Sequence, residues 1–269
     1  MRESLLPQSS QGRGGINIQL LQPALSESSL RPRVSHLIFV GNPGTGKTAV
    51  ARLLAKCYHE LGVLRKPKFL EVERMDLVGI SANQTAIKTR EVIEEAKGGI
   101  LFIDEAYTLA MSTKKSTAEA GLDAINELTR SIDMAEDDSF PIVILSGFPS
   151  EMQNFLASQG TLRKRFALTF EFPDYTCEEL AQIFVDLALS KGCHLDDSIT
   201  IKVIATLLER ETTPIWRSER NGRICELLLA GARAEIRKRM RNISYDDTHF
   251  DPQLIIRSDL ETVMRDEFK

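Results

Sequence analysis

The sequence predicts an α/β domain with a five-stranded parallel sheet and helices on both faces, followed by a small α-helical lid domain. Short apolar segments alternate with helix-length amphipathic segments as far as Pro173, which is typical of a parallel sheet covered by helices. A glycine-rich loop joins the first predicted strand to the first predicted helix. Beyond Pro173 the apolar residues recur at helical spacing, and we predict no further strands there.

The loop after the first strand has the pattern of a phosphate-binding loop, or P-loop. Residues 41–48 spell G-x-x-x-x-G-K-T. In such a loop the backbone N–H groups cradle phosphates, the lysine reaches the β- and γ-phosphates, and the hydroxyl binds Mg²⁺. The flanks fit, because residues 36–40 predict a strand and an apolar stripe at helical spacing follows as far as Gly62. Lys47 is also assigned a catalytic role and Thr48 a metal-ligand role. The residues assigned to nucleotide binding are Gly41, Asn42, Pro43, Gly44, Thr45, Gly46, Lys47, Thr48 and Ala49.

Two acidic residues follow a wholly apolar segment at 100–103. Four apolar residues in a row fit a central parallel strand that is buried on both faces. Because a buried carboxylate is costly unless it meets a cation or hydrogen-bond donors, Asp104 and Glu105 at the end of such a strand predict a functional site. We expect Asp104 to bind the nucleotide's Mg²⁺ together with Thr48. Glu105, one residue on, is expected to activate the attacking water as a general base.

The remaining elements complete two domains. In the first domain we predict strands and helices at 69–72, 86–97, 118–135, 141–145 and 168–172. In the second, a capping box of Thr176 and Glu179 begins a helix, and two more helices contain residues 201–208 and 224–236. The predicted organisation is a flexible N-terminal extension, a nucleotide-binding α/β domain, and a helical lid domain with a C-terminal tail, at 1–33, 34–173 and 174–269.

Composition excludes several classes of protein. The net charge of −4 gives no general attraction to nucleic acid or anionic membranes, and 42% hydrophobic residues are ordinary for a globular protein. No apolar run approaches the roughly 20 residues of a membrane span. The basic run at 233–241 lacks interleaved aromatic residues, so we interpret it as a solvated helix face and expect no nucleic-acid partner. Widely spaced cysteines favour a reducing, cytoplasmic compartment. The alternative is an organelle, because residues 1–33 are rich in arginine and so resemble a transit peptide.

Together these motifs resemble the AAA+ ATPases, and among them the CbbX/CfxQ and SpoVK-type group, which includes red-type Rubisco activases and type VII secretion ATPases. The matching segments follow the family's order over roughly residues 36–240, and they are 36–48, 76–79, 98–107, 144–147, 172–175 and 221–223. The resemblance implies a P-loop AAA+ sheet with strand order 5-1-4-3-2 and a helical lid over the nucleotide. It also implies ATP and Mg²⁺ as ligands.

The resemblance further implies roles for three arginines. Family members form hexameric rings, in which an arginine finger of one subunit neutralises charge on the γ-phosphate in its neighbour's site. Arg163 and Arg165 both match the place of the finger, and their spacing does not distinguish the finger from a structural partner. Arg223 matches the lid arginine that senses the γ-phosphate. The implied partners are ATP, an unidentified protein client, and other subunits of a homo- or hetero-hexamer.

Three features depart from the family's pattern. Ser81, with Ile80 beside it, stands where relatives carry a pore-lining aromatic residue that grips the client. Phe148, which has no hydrogen-bonding group, stands where relatives position the attacking water with a polar side chain; Ser146 is the candidate substitute. Residues 16–30 do not spell the segment that covers the adenine in relatives.

We therefore expect an AAA+ ATPase that couples the binding and hydrolysis of Mg-ATP to remodelling of a protein client in an oligomeric ring. The alternative, motivated by Ser81 and Phe148, is a nucleotide-binding regulatory or scaffold subunit with weak hydrolysis that partners an active relative. Residues 76–79 also fit the D-x-x-G motif of GTPases, but no [NT]-K-x-D guanine motif follows them.

Overall fold

A computed structural model describes residues 35–111, 115–135, 139–241 and 251–268. Its first domain contains the five predicted strands: β1 (His36–Gly41), β2 (Phe69–Val72), β3 (Ile100–Ile103), β4 (Ile142–Gly147) and β5 (Phe166–Phe172). They form one parallel sheet in the order β2-β3-β4-β1-β5. Read from the other edge, this is the order 5-1-4-3-2, and the prediction is confirmed.

Helices bury both faces of this sheet. They are α1 (Lys47–Glu60), α2 (Arg74–Leu77), α3 (Ala82–Ala96), α4 (Lys115–Asp133), α5 (Pro149–Ser158) and α6 (Gly160–Arg163), with a 3₁₀ turn at Ala106–Leu109. Because successive strand residues point to opposite faces, Leu37 and Phe39 pack with α1, while Ile38 and Val40 pack with α3, α4 and α5. Every residue of β3 is buried, as its uninterrupted apolar sequence predicts.

The second domain has its own apolar core. Its elements are α7 (Cys177–Ser190), β6 (His194–Leu195), α8 (Ile201–Glu211), α9 (Pro214–Ser218), α10 (Arg223–Arg241), β7 (Leu254–Ile255) and α11 (Arg257–Glu267). The predicted capping box at the start of α7 is present, because the Glu179 N–H donates to Thr176 Oγ1 over 3.2 Å and the Thr176 N–H donates to Glu179 Oε2 over 2.8 Å. Within the described residues, no helix combines the length and apolar character needed to cross a membrane.

Several predictions about elements were wrong. The helix predicted from residue 86 begins at Ala82, because Ser81 caps it by accepting a hydrogen bond from the Gln84 N–H over 3.3 Å. The lid is not purely helical, since β6 and β7 form a two-stranded parallel sheet. Each strand is two residues long, and such a pairing between distant segments leaves no local periodicity. The helices α2, α5, α6, α9 and α11 were not predicted. Residues 1–33, predicted to be a flexible extension, lie outside the described residues.

The basic run at 233–241 is more than a solvated face. Arg239 forms an ion pair of 2.8 Å with Asp259, whose side chain is 3% exposed, and it also donates to the Leu254 carbonyl oxygen. Arg233 donates to the Lys191 carbonyl oxygen over 2.8 Å. The interpretation as a solvated face was therefore wrong for Arg239, because α11 folds back against α10 and brings the buried carboxylate of Asp259 to it.

His36, at the start of β1, is a partly buried titratable group. Its ring lies against Phe140 and Phe166, with ring centroids 5.9 and 5.6 Å away, and its Nδ1 accepts a hydrogen bond from the Val143 N–H over 3.0 Å. Burial lowers the pKa of His36 from 6.5 to about 4. The folded state therefore disfavours the protonated ring.

We expect His36 to make the fold less stable in mild acid. As pH falls below 6.5 the unfolded chain binds this proton first, so the free energy of unfolding should drop by up to about 3 kcal/mol between pH 6.5 and 4. In His36→Gln, whose amide oxygen can accept the same hydrogen bond, this part of the pH dependence should disappear. Urea unfolding of both proteins across this range tests the prediction, and equal pH slopes would contradict it.

Candidate functional site

A cavity of about 420 Å³ lies at the carboxyl ends of β1, β3 and β4, where the first domain meets the lid. The structure brings most of the predicted site residues to its wall: Gly41, Pro43, Gly44, Gly46, Lys47, Thr48, Ala49, Asp104, Glu105 and Arg223. Asn42 and Thr45 belong to the same loop but do not line the cavity. Arg163 and Arg165 do not line it either.

The loop between β1 and α1 depends on two glycines in left-handed backbone conformations. Gly44 has φ +75°, and a Cβ there would lie 2.2 Å from the Arg220 carbonyl oxygen of the lid. Gly46 has φ +91° and is the N-cap residue of α1. Because Gly46 has no side chain to cap the first turn, the orphan N–H groups of α1 are open to an anion.

Lys47 extends along this loop. Its Nζ donates hydrogen bonds to the carbonyl oxygens of Gly41 and Asn42, over 2.8 and 2.9 Å. Burial lowers the pKa of Lys47; the charge of Arg223 lowers it too, whereas the carboxylates of Asp104 and Glu105 act in the opposite direction. Two cationic and two anionic side chains thus act on one another across the cavity.

The two carboxylates leave β3 in different backbone conformations. The Asp104 N–H still donates to the Val72 carbonyl oxygen of β2, over 2.9 Å. Glu105 has φ +45°, and its N–H donates to Asp104 Oδ1 over 3.0 Å. Among the described residues, only Glu105 and Asn221 are non-glycine residues with positive φ, and strained conformations of this kind cluster at functional sites.

The lid contacts the loop through Asn221, which is 1% exposed. Its Nδ2 donates to the Pro43 carbonyl oxygen over 3.1 Å and to Asp174 Oδ1 over 2.9 Å. Its Oδ1 accepts a hydrogen bond from the Tyr175 N–H over 3.0 Å. One buried amide therefore connects the phosphate-binding loop, the end of β5 and the start of α10.

Three neighbouring contacts extend this connection. The Gly222 N–H donates to the Gly44 carbonyl oxygen over 3.0 Å, and Tyr175 Oη donates to the Thr45 carbonyl oxygen, also over 3.0 Å. The side chain of Asn42 points to the lid, where its Nδ2 donates to Asp174 Oδ1 over 2.9 Å. These lid contacts were not predicted; the sequence signals for them were the family-like segments 172–175 and 221–223.

Asp174 is the anion in this contact. Its burial raises the pKa, but hydrogen bonds from Asn221, Asn42 and Ser218 outweigh the burial, and the pKa lies below its ordinary value. Its charged form is therefore the one that the contact favours.

The two candidate finger arginines differ in their surroundings. Arg165 Nε donates to Asp133 Oδ1 over 2.6 Å, and its guanidinium also bonds the Thr161 carbonyl oxygen, so it ties β5 to α4 within the subunit. Arg163, at the end of α6, is exposed, and within the described residues its guanidinium makes no hydrogen bond or ion pair. The spacing did not distinguish the candidate finger from a structural arginine. The surroundings do differ, since Arg165 is paired within the subunit and Arg163 is exposed.

The three departures from the family's pattern have different structural outcomes. Ser81 is the N-cap of α3, and Ile80 beside it is 96% exposed. Phe148 lines the cavity, whereas Ser146 is fully buried and does not line it, and its Oγ has no hydrogen-bond partner among the described residues. The suggestion that Ser146 replaces the missing polar group was therefore wrong, because alternation along β4 directs its side chain into the core. Residues 16–30 lie outside the described part of the chain.

Comparison with known proteins adds family matches. A family model described as the ATPase family associated with various cellular activities (AAA) matches residues 37–173, and one described as a domain of unknown function (DUF8495) matches residues 174–266. Among solved structures, the FIGL-1 AAA domain in complex with ADP aligns with a TM-score of 0.55 over 86% of this chain and 71% of that one, at 19% identity. This likeness concerns the fold.

Three curated relatives are similar in sequence. Stage V sporulation protein K of Bacillus subtilis is 45% identical over 55% of this chain and 44% of its own length. Protein CbxX of Cupriavidus necator is 40% identical over 66% of this chain and 55% of its own. The ESX-1 secretion system protein EccA1 of Mycolicibacterium smegmatis is 35% identical over 80% and 38%. The chain thus spans about half the length of these relatives or less.

We expect the buried amide of Asn221 to hold the lid on the loop. In Asn221→Gly the backbone keeps its positive φ, because glycine tolerates it, but the side-chain hydrogen bonds are lost. The free energy of unfolding should fall by about 1–3 kcal/mol, and amide exchange at Tyr175 and Gly222 should accelerate. Denaturant unfolding and hydrogen exchange measure both effects.

The matched control is Asn83→Gly, the same replacement at an exposed position in the first turn of α3. It should lower the free energy of unfolding by no more than about 1 kcal/mol and leave exchange at the lid contact unchanged. Equal exchange at Gly222 in both variants would show that Asn221 does not hold the lid.

Proposed function

The chain belongs to the AAA family of ATPases and is of the SpoVK and CbbX type, and we propose that it hydrolyses Mg-ATP and couples hydrolysis to remodelling of a protein client in an oligomeric ring. The observation that carries the proposal is that Lys47, the carboxylates of Asp104 and Glu105, and Arg223 of the lid line the same cavity. These are the groups that phosphoryl transfer needs, namely cations for the phosphates, a metal-binding acid and a base.

The residues of the cavity fit ATP with Mg²⁺. The uncapped first turn of α1 offers backbone N–H groups to phosphate oxygens, and Lys47 adds a positive charge. The hydroxyl of Thr48 and the carboxylate of Asp104 are hard oxygen donors of the kind that Mg²⁺ prefers. A bound Mg²⁺ neutralises charge that builds on the β- and γ-phosphates during transfer.

Glu105 is the proposed general base. Glu105 follows Asp104 directly and lines the same cavity. In this proposal the Asp104 carboxylate would hold the metal while the Glu105 carboxylate orients a water and accepts its proton. Arg223, at the start of α10, contacts the γ-phosphate from the lid side in this proposal. Since Asn221 and Gly222 bond to the loop immediately before it, a change at the γ-phosphate would be felt at the lid.

Arg163 is the proposed arginine finger, acting on the site of a neighbouring subunit. Its exposed and unpaired side chain, compared with the ion pair of Arg165 to Asp133, supports this choice. An arginine supplied in trans makes turnover depend on assembly, because the site in each subunit lacks this cation until a neighbour docks.

The second candidate function is a nucleotide-binding scaffold subunit with weak hydrolysis that partners an active relative. The apolar ring of Phe148 in the wall of the cavity favours it, because no polar group at this position can hold the attacking water. The capping role of Ser81 also leaves the adjoining loop without an aromatic grip. A scaffold subunit should hydrolyse ATP weakly by itself and much faster when it is mixed with a complete relative. Brisk hydrolysis by the chain alone, with no enhancement by a relative, would favour the remodelling ATPase.

Replacing the proposed base tests the leading function. Glu105→Gln should lower ATP turnover by about 10²–10⁴-fold, the contribution typical of a general base, while ATP binding survives because the loop and Lys47 are intact. Phosphate release and equilibrium binding of ATP provide the two measurements. The exposed carboxylate of Glu91 on α3 gives the control variant, Glu91→Gln, which should retain turnover; unchanged turnover in Glu105→Gln would reject the assignment of the base.

Mixing variants tests the arginine finger. Arg163→Ala should bind ATP but hydrolyse it about 10³-fold more slowly or worse. Because the Arg163 side chain is exposed, the variant should be as stable as the parent. When it is mixed with Glu105→Gln, some sites combine an intact Glu105 with an intact neighbouring Arg163, so phosphate release should partly recover. Arg165→Ala, which loses the ion pair to Asp133, is the comparison. Absence of recovery in the Arg163→Ala mixture would exclude action in trans.

A further inference from the structure

Three side chains of the lid form a continuous set of ring contacts beside the phosphate-binding loop. The ring of Phe268, directly after α11, lies 4.8 Å from the ring of Trp216 on α9, centroid to centroid, with an angle of 35° between the planes. The guanidinium carbon of Arg220 lies 4.5 Å from the centroid of the Trp216 ring. Both distances are those of attractive contacts, an aromatic pair in the first case and a cation on a ring in the second. We call these three residues the lid stack.

The Phe268 end of the lid stack is anchored in the apolar core of the lid. Phe268 is 2% exposed, and its N–H donates to the Met264 carbonyl oxygen over 3.3 Å. The helix α11 packs closely on α10, since a Cβ on Gly231 would lie 2.5 Å from Val263 Cγ1. The ring of Phe268 therefore gives the partly buried Trp216 a fixed surface to pack on.

The Arg220 end of the lid stack lies against the phosphate-binding loop. A Cβ on Gly44 would lie 2.2 Å from the Arg220 carbonyl oxygen. The same oxygen accepts a hydrogen bond from the Arg223 N–H over 3.0 Å. The Arg220 guanidinium also donates to the Trp216 carbonyl oxygen over 3.2 Å. The turn that joins α9 to α10 is therefore tied to the tryptophan at the point where it meets the loop.

The lid stack lies outside the nucleotide cavity, although the lid forms part of the cavity's wall. The lid residues of this wall are Tyr175, Ile183, Gly222, Arg223 and Glu226. None of the three residues of the lid stack lines the cavity, so an effect on nucleotide binding has to pass through the backbone of residues 220–223. A site whose wall is already in place binds more tightly than one that is ordered only on binding.

We propose that Phe268, Trp216 and Arg220 are positioning residues for nucleotide binding, which hold residues 220–223 against the phosphate-binding loop. The inference rests on the proposed function, in that it requires the cavity to bind a nucleotide. It makes the affinity for nucleotide depend on α11, although α11 does not reach the cavity. The alternative is that the stack only stabilises the core of the lid, in which case its loss lowers the stability of the lid and leaves the affinity unchanged.

The test is Arg220→Gln, which removes the cation from the ring and leaves the backbone contact with Gly44 possible. We expect the dissociation constant for Mg-ADP to rise by about 2- to 30-fold, the range that a cation on an aromatic ring covers. Amide exchange at Gly222, whose N–H donates to the loop, should accelerate. Equilibrium binding of Mg-ADP and hydrogen exchange provide the measurements, and neither depends on turnover.

The matched control is Arg210→Gln on α8. Arg210 pairs with the adjacent Glu211 over 2.7 Å, as Arg220 pairs with the adjacent Glu219 over 3.0 Å, so both variants lose one positive charge and one exposed ion pair. Arg210→Gln should keep the parent's affinity for Mg-ADP and the parent's exchange at Gly222. Equal affinities in the parent and in Arg220→Gln would overturn the proposal, and so would an equal loss of affinity in both variants.

The fluorescence of Trp216 gives a reciprocal test, because the sequence contains one tryptophan. If the lid stack favours the bound nucleotide, the bound nucleotide must favour the stack by the same factor. Acrylamide should therefore quench Trp216 less in the Mg-ADP complex than in the free protein, and this protection should shrink in Arg220→Gln. Identical quenching of the parent with and without bound Mg-ADP would contradict the proposal.

A double-mutant cycle tests whether the two ends of the stack act together. Phe268→Leu keeps an apolar side chain and removes the ring, and it should also weaken the binding of Mg-ADP. Adding it to Arg220→Gln should weaken binding by less than twofold further, because both act through Trp216. Fully additive losses would overturn the proposal. A parent that binds Mg-ADP no better than Arg220→Gln rejects this inference alone, whereas a parent that binds no nucleotide rejects the proposed function itself.

Discussion

The close approach of the lid to the phosphate-binding loop is the contact on which the rest of the site depends. The Gly44 carbonyl oxygen accepts a hydrogen bond from the Gly222 N–H, and a Cβ on Gly44 would lie 2.2 Å from the Arg220 carbonyl oxygen. Backbone therefore meets backbone here, which only glycine permits. Because no flexible side chain lies between the two segments, the position of α10, and with it of Arg223, is directly tied to that of the loop.

The electrostatics of the cavity follow from this contact. Lys47 belongs to the loop and Arg223 to the lid, yet each changes the electrostatic surroundings of the other, and both lie near Asp104 and Glu105. Bringing two cations together is unfavourable unless anions separate them, and a triphosphate supplies such anions. Asp104 and Glu105 already supply two anions beside these cations, and the hydrogen bond from Asn221 holds the lid on the loop. This combination favours a site that is assembled in advance and that the nucleotide tightens.

The sequence revealed what depends on local patterns. The phosphate-binding loop and the strand ending in Asp104 and Glu105 have distinctive residue types at fixed spacing, and the strands of a buried parallel sheet are apolar runs. Contacts between distant segments were not revealed. The bond from Asn221 to Pro43 joins residues 178 positions apart, and its partners are ordinary polar residues whose meeting depends on the fold. The choice between Arg163 and Arg165 likewise required α4, because Asp133 on that helix occupies one of them.

Two residues of the site hold strained backbone conformations that their surroundings fix. Glu105 and Asn221 both hold a left-handed backbone, a conformation that is unfavourable for side chains with a Cβ and that persists only where the surroundings determine it. Around Glu105 these surroundings are the closed 3₁₀ turn and the hydrogen bond to Asp104. Around Asn221 they are Pro43, Asp174 and Tyr175. Glu105, the proposed base, and Asn221 are therefore held by separate sets of contacts. Under the proposed function we expect a substitution that loosens one set to leave the other in place, so that hydrolysis and the lid contact would be lost separately. The two candidate functions, the remodelling ATPase and the weakly hydrolysing scaffold subunit, differ in hydrolysis and share the lid contact.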